Sequence, residues 1–208
     1  MERAVHELGW KRYLIGAGLK ESQWRNATFK TKNSLAYAFG RATADMPKGR
    51  YFDVDCATTR LGLDLAPGIG QREAAGLLVL NGPVVLEAIA RADHESEAVF
   101  FCVAEGENTK GKHYYNCFAG QLSAFANLIV GEDEAPSRMT FVNVKRVLAT
   151  VRANAAAEGI DLSDPFLPPL DDPLYVELVK AGREFSDELL TKVRARLRSA
   201  LAGTGARH

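Results

Sequence analysis

The stretch Tyr51-Phe-Asp-Val-Asp-Cys-Ala-Thr-Thr-Arg-Leu-Gly-Leu-Asp-Leu-Ala66 decides how the chain is read. Phe52 and Val54 alternate with Asp53 and Asp55, and a period of two predicts a short strand with both carboxylates on one face. The small polar run Cys56 to Arg60 predicts a tight turn, and Leu61 to Ala66 a second strand. A carboxylate at the end of an apolar strand is costly unless it is paired or holds a metal. Two on one face favour a divalent cation with oxygen ligands, Mg2+ or Mn2+.

Outward from this stretch the chain is that of a globular protein. It has 208 residues, 47% hydrophobic and 25% charged, with a net charge of zero. No apolar run reaches the roughly 20 residues that span a bilayer, and the N-terminus lacks a signal-like apolar region. Three cysteines without regular spacing predict reduced thiols and a cytoplasmic setting. Charge is uneven: residues 1–50 hold ten Lys/Arg against four acids. Trp10, Tyr13, Trp24 and Phe29 interleave there with Lys11, Arg12, Arg25, Lys30 and Lys32, a mixture that suits phosphate contact and base stacking and equally suits packing on a core. Residues 1–49 are read as a basic, helical extension and 50–208 as the main domain.

After the opening stretch, LAPGIGQ offers a faint glycine-rich loop, and residues 75–81 read either as a strand or as a helix end. Gly82-Pro83 starts a helix that runs to Asp93. Glu97 to Glu105 is an apolar run expected as a central strand ending in a carboxylate. A polar loop, Gly106 to Lys112, follows, and then a predicted helix over 114–130. Residues 138–144 read as a strand and 145–158 as a helix closed by Gly159. The Pro-rich turn DPFLPPLDDP leads into a last helix from Leu174.

Asp55, the small residues Cys56 to Thr59, and Gly62 resemble the opening hairpin of RNase H-like nucleases, most closely the RuvC-type Holliday-junction resolvases. The strand ending in Glu105, the loop Asn108 to Lys112 and Gly120-Gln-Leu-Ser-Ala resemble a later part of the same family, and Asp171-Asp172 stand where its last carboxylates come. The resemblance implies an α/β fold, an RNase H-like mixed sheet flanked by helices. It implies a structure-selective, two-metal DNA endonuclease acting on branched DNA as a homodimer. Asp53, Asp55, Glu105, Asp171 and Asp172 would then hold Mg2+ or Mn2+, and Asp55, Glu105 and Asp172 with Lys110 would form the catalytic set. Lys110 would contact the scissile phosphate, and Lys30, Lys32, Thr58, Thr59, Arg60 and Lys112 the DNA backbone. Three alternatives stay open: an inactive RNase H-like module binding nucleic acid or protein, a 3′–5′ exonuclease, and a cysteine hydrolase with Cys117 at a helix N-terminus and His94 or His113 as base.

Overall fold

The computed structural model describes residues 7–23, 51–108, 110–126, 136–162, 164–177 and 179–180. In chain order these form β1 (Glu7–Leu8), α1 (Trp10–Ala17), β2 (Tyr51–Phe52), α2 (Asp53–Ile69), α3 (Gln71–Leu80), α4 (Gly82–His94), β3 (Phe100–Glu107), β4 (His113–Gly120), a 3-10 turn (Leu122–Phe125), β5 (Arg138–Asn143) and α5 (Val144–Ala157). The architecture is mixed α/β: helices around a three-stranded antiparallel sheet of order β4-β3-β5, with a second, two-stranded ribbon of β1 and β2.

The opening stretch is therefore not a hairpin. Only Tyr51 and Phe52 are strand, paired with Leu8 and Glu7, and a 17-residue helix starts at Asp53. The alternation of Phe52 to Asp55 is too short to outweigh the longer pattern behind it. Ala57, Leu61 and Leu65, with Cys56 beside the first, are fully buried; they recur at four-residue steps and make one helical face. The Asp55 carboxylate accepts the Phe52 N–H at 2.8 Å, which satisfies one of the orphan donors at the helix start. Pro67 lies inside the last turn, and Gly70, at φ 94°, separates α2 from α3. Residues 75–80 thus belong to a helix.

The second correction is β4. Phe118, Leu122 and Phe125 imitate a helical stripe, but residues 113–120 pair with β3 across eight consecutive positions, from Glu107 opposite His113 to Phe100 opposite Gly120. The link is a tight turn in which Asn108 Oδ1 accepts the Lys110 and Lys112 N–H groups at 3.0 Å and Gly111 takes φ 68°, a conformation with no penalty for glycine. The expected order of strands and helices, on which the RNase H-like topology depended, is accordingly replaced by three helices followed by a three-stranded antiparallel sheet with β3 at its centre. The helix at Gly82, the strand through Glu105, the strand at 138 and the helix that follows stand as expected. Gly159, at φ 63°, closes α5, with Gly159 N–H on the Ala156 carbonyl and Ile160 N–H on that of Ala155.

One hydrophobic cluster joins all of this, from Leu8, Tyr13 and Leu14 through α2–α4, Phe101 and Val103 of β3, and α5 to Phe166, Leu167 and Tyr175. The described part of the basic extension is built into that core rather than standing outside it. No single described helix is long and apolar enough to cross a membrane.

Candidate nucleic-acid interface

α1 ends at Gly18, whose αL backbone (φ 72°, ψ 35°) lets its N–H reach the Ile15 carbonyl at 2.9 Å. A second helical segment starts at Glu21. Its first turn is secured by the Lys20 N–H, which donates to Gln23 Oε1 at 2.9 Å, half of a capping box. The connection from α1 to the helical residues 21–23 is three residues long, Gly18-Leu19-Lys20, the length of the turn in helix–turn–helix units.

The turn is held from behind. Tyr13, 1% exposed, shares a 2.7 Å hydrogen bond with the buried Thr59 hydroxyl of α2 and stacks on Tyr51 with ring centroids 4.2 Å apart. Burial drives the Tyr13 phenol far above its ordinary pKa, and burial together with the Asp55 charge raises that of Tyr51, so both stay neutral. Cys56 lies under α1, its thiol donating to the Tyr13 carbonyl at 3.6 Å. From α5, Asn154 donates to the Gly16 carbonyl at 3.4 Å. β1 and β2 bring the chain back beside α1 after the segment 24–50, which carries six Lys/Arg and one acid.

The residues singled out in the sequence are placed as follows. Asp53 and Asp55 share the first turn of α2. Asp53, 1% exposed, accepts the Val54 N–H at 2.8 Å, and Asp55 caps the helix. Glu105 forms a 3.0 Å ion pair with Arg138 of β5. These carboxylates are not brought together. α2 meets the sheet at its far end, where a Cβ on Gly68 would stand 2.5 Å from Thr140. Asp55 lies thirteen residues before Gly68, about 20 Å back along the axis, whereas Glu105 is two residues along β3 from Val103, the partner of Thr140. Asp172 accepts the Leu174 N–H at 2.8 Å at the start of the helical residues 173–177, which makes it a cap. Asp171 is exposed beside it. Among the described residues no group of three or more His, Cys, Asp or Glu is arranged to hold a metal.

Thr59 is buried and bonded to Tyr13, so it is removed from the DNA-contact set. Thr58 is partly exposed, and Arg60 pairs with Asp64 one turn on. Lys110 and Lys112 are exposed at the β3–β4 tip. Lys30 and Lys32 lie outside the described residues. Cys117 is inside β4, not at a helix start; burial and then the neighbouring Cys102 push its thiol up to about 12, the reverse of what a nucleophile needs. His94 contacts the Leu167 carbonyl at 2.9 Å, and His113 is exposed on the strand. Sequence reasoning missed the turn that follows α1, although its signals were present: an amphipathic Trp10 to Ala17, a glycine, and Lys20 followed by Gln23.

Comparison with protein-family models, with curated proteins and with solved structures returns no match.

Proposed function

We propose that the chain is a DNA-binding protein that docks on duplex DNA through the helix–turn–helix formed by α1 and the segment starting at Glu21. The observation that carries this reading is the Gly18-Leu19-Lys20 turn, braced by Tyr13, Thr59 and Asn154. In such motifs the first helix crosses the phosphate backbone and the second enters the major groove with its N-terminal residues at the base edges. The sequence from Glu21 suits that role: Gln23, Arg25 and Asn26 are base-edge readers by chemistry, and Lys30 and Lys32 can meet phosphates. A net charge of zero over the whole chain is no obstacle, because the cations are concentrated in the first 50 residues.

Selection from a library of randomised duplexes tests it. The full chain is expected to enrich a short motif, and Arg25→Ala is expected to relax the preference at one position. Failure of any sequence to enrich would overturn the reading. The metal-dependent nuclease of RNase H-like type remains the second proposal, supported by the two carboxylates, one of them buried, in the first turn of α2. Its test is cleavage of branched and duplex DNA with Mg2+ or Mn2+, comparing wild type with Asp55→Asn.

A further inference from the structure

The fold carries the Arg60 guanidinium to the turn that ends α1. α2 runs so close to α1 that a Cβ on Gly16 would stand 2.9 Å from the Cys56 Sγ, and the buried Thr59 is bonded to Tyr13. Arg60 follows Thr59 and stands about 100° round the helix from it, at the edge of this contact, with its side chain 28% exposed. Its Nη1 lies 3.3 Å from the place a Cβ on Gly18 would take. Its Nη2 is paired with Asp64, one turn on in α2. Gly18 and Lys20 of the turn are exposed beside it.

Stability alone gains little from this placement. A part-exposed ion pair one helical turn apart contributes weakly, and Arg60 Nε is buried with no hydrogen-bond partner among the described residues, which is a cost. One structural role is open to Arg60: a cation at the carbonyl end of α1, which has no basic residue in its own last turn. That role and a ligand contact differ in what they predict for Asp64.

We propose that Arg60 is a phosphate contact from α2 that completes the DNA interface, an inference that rests on the DNA reading above. The first residues of the second helix go to the base edges, so the turn before them stands at the rim of the groove, where the phosphates run. A cation beside Gly18 therefore faces the backbone. Gly18 keeps the approach to Nη1 clear, since any side chain there would begin 3.3 Å from it. Asp64 holds the guanidinium in place in the free protein. A guanidinium has five donors in a planar fork, so one edge can stay on Asp64 while another takes a phosphodiester oxygen. Asp64 is then also a counter-charge that the phosphate must compete with.

Anisotropy titration of the full chain against labelled duplexes over a salt series tests this with Arg60→Gln, Arg60→Lys and Asp64→Asn, each shown to be folded by a thermal melt. Arg60→Gln should make the salt slope shallower by about 0.9, one phosphate, and weaken binding about eightfold at ~0.1 M salt, to a similar degree on every sequence. Arg60→Lys, which keeps the charge, should keep the slope. Asp64→Asn should tighten binding about two- to fivefold, the coupling of one exposed pair released. A structural role alone predicts that Arg60→Gln and Asp64→Asn, which break the same pair, shift affinity in the same direction. Both variants weaker, or Arg60→Gln with the wild-type slope, would overturn the proposal and leave the DNA reading standing. Wild type that binds no duplex would remove the DNA reading and the phosphate contact with it.

Discussion

Gly18→Ala is the substitution most informative about the turn that ends α1. Gly18 holds φ 72° and ψ 35°, a left-handed conformation that costs an L-residue about 1–2 kcal/mol. The added Cβ would stand 2.9 Å from Asn154 Nδ2 and 3.3 Å from Arg60 Nη1. Asn154 must then move, weakening its hydrogen bond to the Gly16 carbonyl, a further loss of about 0.5–1 kcal/mol. The total is about 1.5–3 kcal/mol, or about 3–12 °C in Tm for a chain of this size. Urea and thermal unfolding of Gly18→Ala, Asn154→Ala and the double variant measure the two parts separately. The double variant should be more stable than the sum of the singles predicts, by about the 0.5–1 kcal/mol of the relieved contact. DNA affinity should fall in Gly18→Ala under conditions where it remains folded. A loss below about 0.5 kcal/mol, smaller than the left-handed penalty alone, would refute the reasoning.

Asp93, whose side chain is 1% exposed, pairs with Arg152 at 2.6 Å and accepts the Phe166 N–H at 2.8 Å. Asp93→Ala leaves the Phe166 N–H without its acceptor, while Arg152 keeps the exposed Asp164, and should cost about 1–3 kcal/mol, with hydrogen exchange faster at Phe166 and Leu167; unchanged exchange there would contradict the anchoring role. Burial raises the pKa of all three thiols, Cys102 to about 11, Cys117 to about 12 and Cys56 as well. Unfolded thiols ionise near about 8.5, so the unfolded chain gives up these protons first and stability should fall as pH rises from about 9 towards 11–12. A urea midpoint as high at pH ~10 as at pH ~7.5 would contradict it. Asp55→Ala removes the acceptor of the Phe52 N–H and should cost about 1 kcal/mol in a urea melt; no measurable loss would show that the cap is idle.

The elements that could be read from the sequence were those whose local and global signals agree. Gly82-Pro83 followed by Val85, Ala88, Ile89 and Ala92 on one face can only be a helix, and the run Val99 to Ala104 only an interior strand. The errors fell where two patterns overlap. Phe52-Asp-Val-Asp55 alternates for four residues, but Cys56, Leu61 and Leu65 carry a helical period for longer, and burial against α1 decides for the helix. Tyr114 to Phe125 holds apolar residues at helical steps, yet the Asn108 to Gly111 turn between two apolar runs is a hairpin signal, and pairing with β3 prevails. The site followed the fold. Once Asp55 became a helix cap and Glu105 an ion-pair partner, the carboxylates had local explanations that spacing alone could not supply. The bracing of α1 and its turn needed knowledge that Tyr13 and Thr59, 46 residues apart, are bonded, which no single stretch contains.

The most direct test of DNA binding is an anisotropy titration of the full chain against a labelled duplex over a series of salt concentrations, repeated with Arg25, Lys30 and Lys32 all replaced by Ala. The account predicts binding whose logarithm falls linearly with the logarithm of salt, with a slope near −0.9 per phosphate contact, and a shallower slope in the triple variant by about 2, from the two lost phosphate contacts. Binding that is absent at low salt, or that is equally strong and equally salt-dependent in the triple variant, would contradict it.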